Sequence, residues 1–205
     1  AKGYVSSTGS YAAAVGVACG CNGHIITNCY ATGNVSGPYS IGGFCGYNIN
    51  TGIITNCYST GNASGTMQFG GFCGNNMGSI IDCFWDTKSS QMINSDGGIG
   101  KSIAEMQTES NYTTEPASWD FISVWWINEQ RDYPKLAWQP FGDLDNDSFV
   151  NLFDFGLMAQ AWMTNSGEPN YNRSCELSGD TEINNIDLSE LTNMWLEGPL
   201  YNATP

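Results

Sequence analysis

Apolar residues along the first 86 positions come in short runs broken by Gly, Asn, Ser and Thr, and the runs repeat. Ile25-Ile26-Thr27-Asn28-Cys29-Tyr30-Ala31-Thr32-Gly33-Asn34 returns 28 residues later as Ile53-Ile54-Thr55-Asn56-Cys57-Tyr58-Ser59-Thr60-Gly61-Asn62. Gly42-Gly43-Phe44-Cys45-Gly46 returns as Gly70-Gly71-Phe72-Cys73-Gly74, after a degenerate copy at Gly16-Val17-Ala18-Cys19-Gly20, and Ile80-Ile81-Asp82-Cys83-Phe84 closes the array. A unit this short buries its apolar side only by stacking on its neighbours. The pattern therefore predicts a mainly β chain, a parallel β-solenoid of 28-residue coils with two strands per coil. One strand is centred on Ile-Ile-Thr-Asn-Cys-Tyr and the other on Gly-Gly-Phe-Cys-Gly. Like positions of stacked coils lie about 4.8 Å apart, which aligns Cys29, Cys57 and Cys83 in one column and Cys19, Cys45 and Cys73 in another.

Downstream the pattern changes twice. Residues 87–140 carry Trp119, Phe121, Trp125, Trp126, Tyr133 and Trp138, too dense for a linker, and a short helical stretch over Ser102–Gln107 with Ile103 and Met106 on one side. The last coil of a solenoid exposes a row of backbone donors and acceptors, so this region reads as an aromatic-rich cap. A sugar-binding platform is the alternative, although large aromatics ordinarily serve burial. Beyond Gly142 the spacing turns helical: Phe155, Leu157, Met158, Ala161 and Trp162 form one stripe, and Leu188, Leu191, Met194, Trp195 and Leu196 a second. The organisation expected is repeats over 1–86, cap over 87–140, a small α-helical domain over 141–198 and a tail over 199–205. At the other end, Tyr4–Gly9 resembles the back half of a coil. An open coil end is a template for another copy, so head-to-tail association is one expectation, and an origin as part of a longer protein is the other. The chain starts at Ala1 without a start Met or a signal segment, which fits either a removed leader or a fragment.

Each helical stripe follows an acidic loop. Asp143, Asp145, Asp147, Asn151 and Asp154 occupy positions 1, 3, 5, 9 and 12, and Phe149 offers its carbonyl at position 7. A hard cation needs six to eight oxygens gathered from one tight turn, and this spacing supplies them for calcium. Ser148 stands where the turn usually has Gly. The second loop runs Glu176, Ser178, Asp180, Glu182, Asn184 and Asp187, with Glu and Ser in place of the usual Asp or Asn, so its affinity is expected to be weaker. Either loop also reads as an Asx turn that caps a helix without metal.

Charge follows the same division. From Ala1 to Asn75 the only formally charged side chain is Lys2, whereas Gly142–Pro205 holds eleven Asp or Glu and one base, Arg173, within a net charge of -14. No basic cluster can neutralise phosphates, which excludes nucleic acid, and no apolar run reaches the roughly 20 residues of a spanning helix. The eight cysteines, Cys19, Cys21, Cys29, Cys45, Cys57, Cys73, Cys83 and Cys175, are an even set that fits disulfides in an oxidising, extracellular setting. Small buried filler in a column is the plainer reading, and zinc fits poorly with a CxC pair and one His. Sequons at Asn34, Asn62, Asn111, Asn172 and Asn202 are glycosylation candidates; a sixth, at Asn146, lies inside the first loop. His24 has no nucleophile motif around it. Asp82, Asp86 and Lys88 form the one acid–base cluster near the repeats, and the end of an array explains them equally well.

The GGFCG segments, with CYATG and CYSTG between them, resemble the GLUG motif of large bacterial surface and adhesin-like proteins, over roughly residues 1–86. That resemblance implies a β-solenoid exoprotein without catalytic residues. Residues 142–198 resemble a type I dockerin, since two loop-helix units each lack the entering helix of a full EF-hand. The resemblance implies calcium-dependent folding and docking of a cohesin-like partner through the helices. It carries to Asp143, Asp145, Asp147, Asn151 and Asp154, and in the second loop to Asp180, Asn184 and Asp187. The Ser/Thr recognition pair is absent from the first helix, where Gly156 and Leu157 stand. The function expected is a non-catalytic, secreted bacterial structural or adhesive protein, a fibre subunit joining copies of itself head to tail. The alternative is an accessory module docking to a cohesin in a carbohydrate-degrading assembly, with polysaccharide as a further ligand candidate.

Overall fold

A computed structural model describes residues 5–7, 14–137, 139, 142–145, 147 and 149–195. Tyr4, Thr8, Gly9, Trp138, Asn146, Ser148, Leu196, Asn202 and the tail 199–205 lie outside the described residues. The chain divides into two compact units, Ala1–Phe121 and Ile122–Pro205.

The first unit is built of parallel sheets. Its strands are β1 (Val5–Ser6), β2 (Val15–Gly16), β3 (Cys19–Asn22), β4 (Ile25–Ala31), β5 (Val35–Gly42), β6 (Cys45–Asn48), β7 (Ile53–Ser59), β8 (Ala63–Gly70), β9 (Cys73–Asn76), β10 (Ser79–Ile81), β11 (Phe84–Asp86) and β12 (Ile99–Lys101). In one sheet β5 pairs with β1, β2 and β8; β3, β6 and β9 form a second; in the third β7 pairs with β4, β10 and β11, and β12 lies beyond β11. Partners in the central repeats are 28 residues apart throughout, as in Ile25 with Ile53, Val35 with Ala63 and Cys45 with Cys73. Towards the two ends the step changes, to 26 for Cys19 with Cys45 and Ile53 with Ser79 and to 30 for Val5 with Val35.

The sequence pattern offers two strands per repeat, and the structure has three. The additional sheet, through β5 and β8, runs over Gly37-Pro38-Tyr39-Ser40 and Gly65-Thr66-Met67-Gln68, which lack hydrophobic alternation. Backbone geometry makes it: pairing goes from Gly37–Gly65 to Tyr39–Met67, passing over Pro38, whose nitrogen has no hydrogen to donate. Thr66 Oγ1 donates to the Pro38 carbonyl at 2.8 Å instead.

Because like residues oppose like, side chains stack in columns. Phe44 lies flat on Phe72, with ring centroids 4.9 Å apart, and Tyr30 on Tyr58 at 5.2 Å. Both cysteine columns enter one core with Phe44, Ile54, Phe72 and Trp85. A polar column runs beside them: Asn22 Nδ2 donates to Asn48 Oδ1 at 2.9 Å, and Asn48 Nδ2 to Asn76 Oδ1 at 2.8 Å. Corners repeat as well, since Asn28, Asn56 and Asp82 all hold φ near +50°, a conformation that short Asx side chains tolerate. Gly61 marks a tight approach, because a Cβ there would stand 1.8 Å from the Gly33 carbonyl oxygen.

The stack ends under later chain. The backbone N–H groups of Ala63 and Gly71 donate to the carbonyls of Ser90 and Asn94, and β12 pairs with β11. Two single-turn helices follow, α1 (Ile103–Met106), closed by a Ser102–Glu105 capping box, and α2 (Ser110–Thr113). Tyr112 and Trp119 pack on Phe84, Phe121 reaches Tyr112, and Trp119 Nε1 donates to the Asp82 carbonyl at 2.8 Å. Burial, rather than a sugar platform, is the use made of Trp119, which is 3% exposed. Trp125 and Trp126 fall in the second unit, where β13 (Trp125–Trp126) pairs antiparallel with β14 (Lys135–Leu136). That unit also holds α3 (Leu152–Gln160), a short 3-10 turn at Arg173–Cys175 and α4 (Asn185–Asn193). Val150, Met158, Ala161, Cys175, Ile183 and Leu191 form its core.

Asn48 is fully buried and joins four partners: Asn22, Gly52, Asn76 and Ser79. Replacing it by Ala strands polar groups on both neighbouring repeats, so Asn48→Ala is expected to lower unfolding free energy by about 2–4 kcal/mol in guanidinium titration, against less than about 0.5 for exposed Ser64→Ala.

Candidate metal centre

Each of α3 and α4 begins with a turn whose polar groups fold back on themselves. Asn151 and Asn184 cap the two helices, each with a full capping box closed by Asp154 or Asp187. Asp154 is fully buried; its Oδ1 accepts from the N–H groups of Leu144 (2.6 Å) and Asp145 (3.1 Å), and its Oδ2 from Asn151. Asp187 repeats this with Leu177, Ser178 and Asn184. Asp147 N donates to Asp143 Oδ1 as Asp180 N does to Glu176 Oε1, and Asn151 Nδ2 reaches Asp147 as Asn184 Nδ2 reaches Asp180. The two loops are one structure repeated at a 33-residue offset.

Three acidic side chains of each loop come together. In the first loop Asp143, Asp145 and Asp147 each present a carboxylate oxygen, all within 4.8 Å of one another. That is the spacing of oxygens sharing one hard cation with bonds of about 2.3–2.6 Å, and a positive charge between three carboxylates this close relieves their mutual repulsion. The donor set fits calcium. Asn151 and Asp154 shape the turn through backbone N–H groups, and Phe149 donates its N–H to Asp147 Oδ1 at 2.8 Å while its ring stays exposed. In the second loop Glu176, Asp180 and Asp187 come together. Ser178 Oγ donates to Glu176 Oε1 and the Glu182 N–H to Asp180 Oδ1. The Glu182 N–H foremost, and then the Asn184 amide, hold the Asp180 carboxyl below its ordinary range. Glu176 Oε2 is ion-paired with Arg131, a partner that sequence reasoning missed because Arg131 precedes the loop by 45 residues.

The remaining candidates separate by environment. The register sets Cys19 opposite Cys45, Cys45 opposite Cys73 and Cys29 opposite Cys57, while Cys21 faces Tyr47 and is exposed. All eight cysteines are free thiols in this structure, and column neighbours share S–H···S contacts. Cys45 donates to Cys19, which lowers the Cys19 pKa and raises that of Cys45. Cys175 sits in the core of the second unit, and burial, with Asp187 and Asp154 nearby, pushes its thiol up to about 12. It is packing rather than a reactive group. His24 is exposed and its backbone alone bonds to Asn22. The Asp86 carboxylate is buried and accepts from the N–H groups of Lys88 and Ser89, so the Asp82, Asp86 and Lys88 cluster closes a turn and does not present an open acid–base pair. Of the sequons, Asn34 uses its side-chain oxygen to accept from the Asn62 N–H, Asn172 accepts from Ser174, and Asn111 bonds at both ends to Lys101 and Glu105.

Between the helices runs an apolar groove of about 610 Å³, lined by Leu152, Phe155, Leu188, Thr192 and Trp195. Leu152 and Phe153 beside it are more than 70% exposed. No helix among the described residues is long and apolar enough to cross a membrane.

Comparison with known proteins agrees with this division. The GLUG motif model matches residues 37–64, one period of the repeat, and the dockerin type I domain model matches residues 141–196. Both are non-catalytic modules; type I dockerin domains bind calcium and cohesins. No curated protein and no solved structure matches the chain. The chain therefore carries a GLUG motif in its parallel β repeats and, C-terminal to them, a type I dockerin domain.

Proposed function

We propose that this chain is a non-catalytic extracellular module that folds its C-terminal unit around calcium and docks through it to a cohesin, carrying a β-solenoid of GLUG-type coils as its other part. The observation that carries the reading is the groove between α3 and α4. Two helices, each begun by an acidic loop, bring exposed Leu152 and Phe155 together with half-buried Leu188 and Trp195, and a contiguous apolar surface of this kind marks a protein interface. Gly156 and Leu157 stand where dockerin helices usually carry a hydroxyl pair, so recognition falls to the apolar side chains. Calcium acts indirectly: neutralising Asp143, Asp145 and Asp147 fixes the turn from which α3 starts.

Stacking of the columns at rung spacing supports the solenoid reading, and from β3 to β9 there is no carboxylate and, besides His24, no base, so the acid–base pair a polysaccharide-cleaving face needs is missing there. Head-to-tail growth by strand pairing needs an open edge at each end, and at one end residues 90–94 and β12 already pair with the last repeat. Cohesin docking is thus favoured over a fibre. Each cysteine column has three members at a spacing a disulfide spans, so each column forms one disulfide in an oxidising compartment.

Titration calorimetry against a panel of type I cohesins is expected to give binding in calcium and none in excess chelator. Phe155→Asp should weaken binding at least about 100-fold, the loss of a central apolar anchor, while leaving calcium uptake intact. A folded, calcium-loaded chain that binds no cohesin of the panel defeats the docking role. For the cysteines, alkylation of the oxidised, denatured chain is expected to label four thiols, one per column plus Cys21 and Cys175; eight labels would remove the disulfides.

A further inference from the structure

The two loops share their hydrogen bonds but not their charge environment. Position 1 is Asp143 in the first and Glu176 in the second, one methylene longer; Ser178 and Gly179 stand where the first loop has Asp145 and Asn146. Glu176 is 3% exposed. Its Oε1 accepts from Gly179 N (2.5 Å), Asp180 N (3.1 Å) and Ser178 Oγ (3.2 Å). Its Oε2 is bound by Nη1 of Arg131. Arg131 belongs to the turn between β13 and β14, where its N–H and that of Asp132 both donate to the Asn128 carbonyl. The guanidinium lies across Gly179, which adopts φ +105° and has no side chain to obstruct it; a Cβ there would stand 3.1 Å from Nη2.

We infer that Arg131 takes the place of the second cation, so that the chain binds calcium in the first loop alone. A buried carboxylate must be paired with a positive charge, and a guanidinium supplies that charge together with several donors in a fixed plane. The sequence changes favour a guanidinium over a dication while Arg131 is in place. Ser178 withdraws a carboxylate from position 3, weakening the oxygen shell calcium requires. Glu176 is long enough to meet a group arriving from outside the loop, and Gly179 clears its path. The first loop keeps Asp at positions 1, 3 and 5. Arg131 also ties the hairpin to the helix pair within the same unit, a link independent of calcium. The inference rests on the calcium reading of the first loop for its count of one.

Native mass spectrometry of the full chain equilibrated with calcium tests it. One ion is expected on the wild-type chain, none on the D145N/D147N double variant and two on Arg131→Gln, where Glu176 is released. Two ions on the wild-type chain, one remaining on D145N/D147N, or one on a folded Arg131→Gln overturns the assignment. If Arg131→Gln fails to fold, the wild-type and D145N/D147N counts decide. No ion on the wild-type chain but one on Arg131→Gln upholds the replacement and removes calcium from the first loop; no ion on any chain overturns both.

Discussion

Parallel pairing at a fixed step forces most side chains of one repeat onto their own copies in the next. Everything in the first unit follows from that register. Asn48 meets Asn22 and Asn76, Phe44 meets Phe72, and cysteine meets cysteine. Such pairing is favourable for amides, which donate at one end and accept at the other, and for flat rings, which stack at the same spacing. It is unfavourable for charges, because a column of like charges at rung distance repels itself. This explains why the repeats from Ala1 to Asn75 hold only Lys2 among charged side chains while the rest of the chain is strongly acidic.

The second unit solves the opposite problem. Its acidic side chains gather at two helix starts, where backbone N–H groups absorb part of the charge. Asp154 and Asp187 are fully satisfied in this way and serve as knots that tie each loop to its own helix. Asp143, Asp145 and Asp147 bring three carboxylates together, whereas Glu176 is ion-paired with Arg131. The repeat is visible in the hydrogen bonds of the two loops, and their difference in the Arg131 that faces Glu176.

Among the described residues, the acid–base cluster of Asp82, Asp86 and Lys88 closes a turn. The apolar groove of the helix pair is a cleft that combines exposure with chemical character. The repeats contribute a regular, nearly uncharged stack, and in the proposed function the helical unit is the point of attachment. That combination suits a displayed part of a larger assembly.

The sequence alone determined the 28-residue period, the two cysteine columns, the short helix before Gln107 and the spacing of both acidic loops, because each is a local or periodic signal written in residue type. Tertiary structure decided what periodicity could not express. The sheet through β5 and β8 is held by backbone pairing across Gly, Pro and Thr, which carry no alternating pattern. The division of the aromatics between Trp119, buried on the last repeat, and Trp125, in the second unit, depends on contacts remote in sequence. So does Arg131: a lone base 45 residues upstream shows no motif, and only folding brings its charge to Glu176.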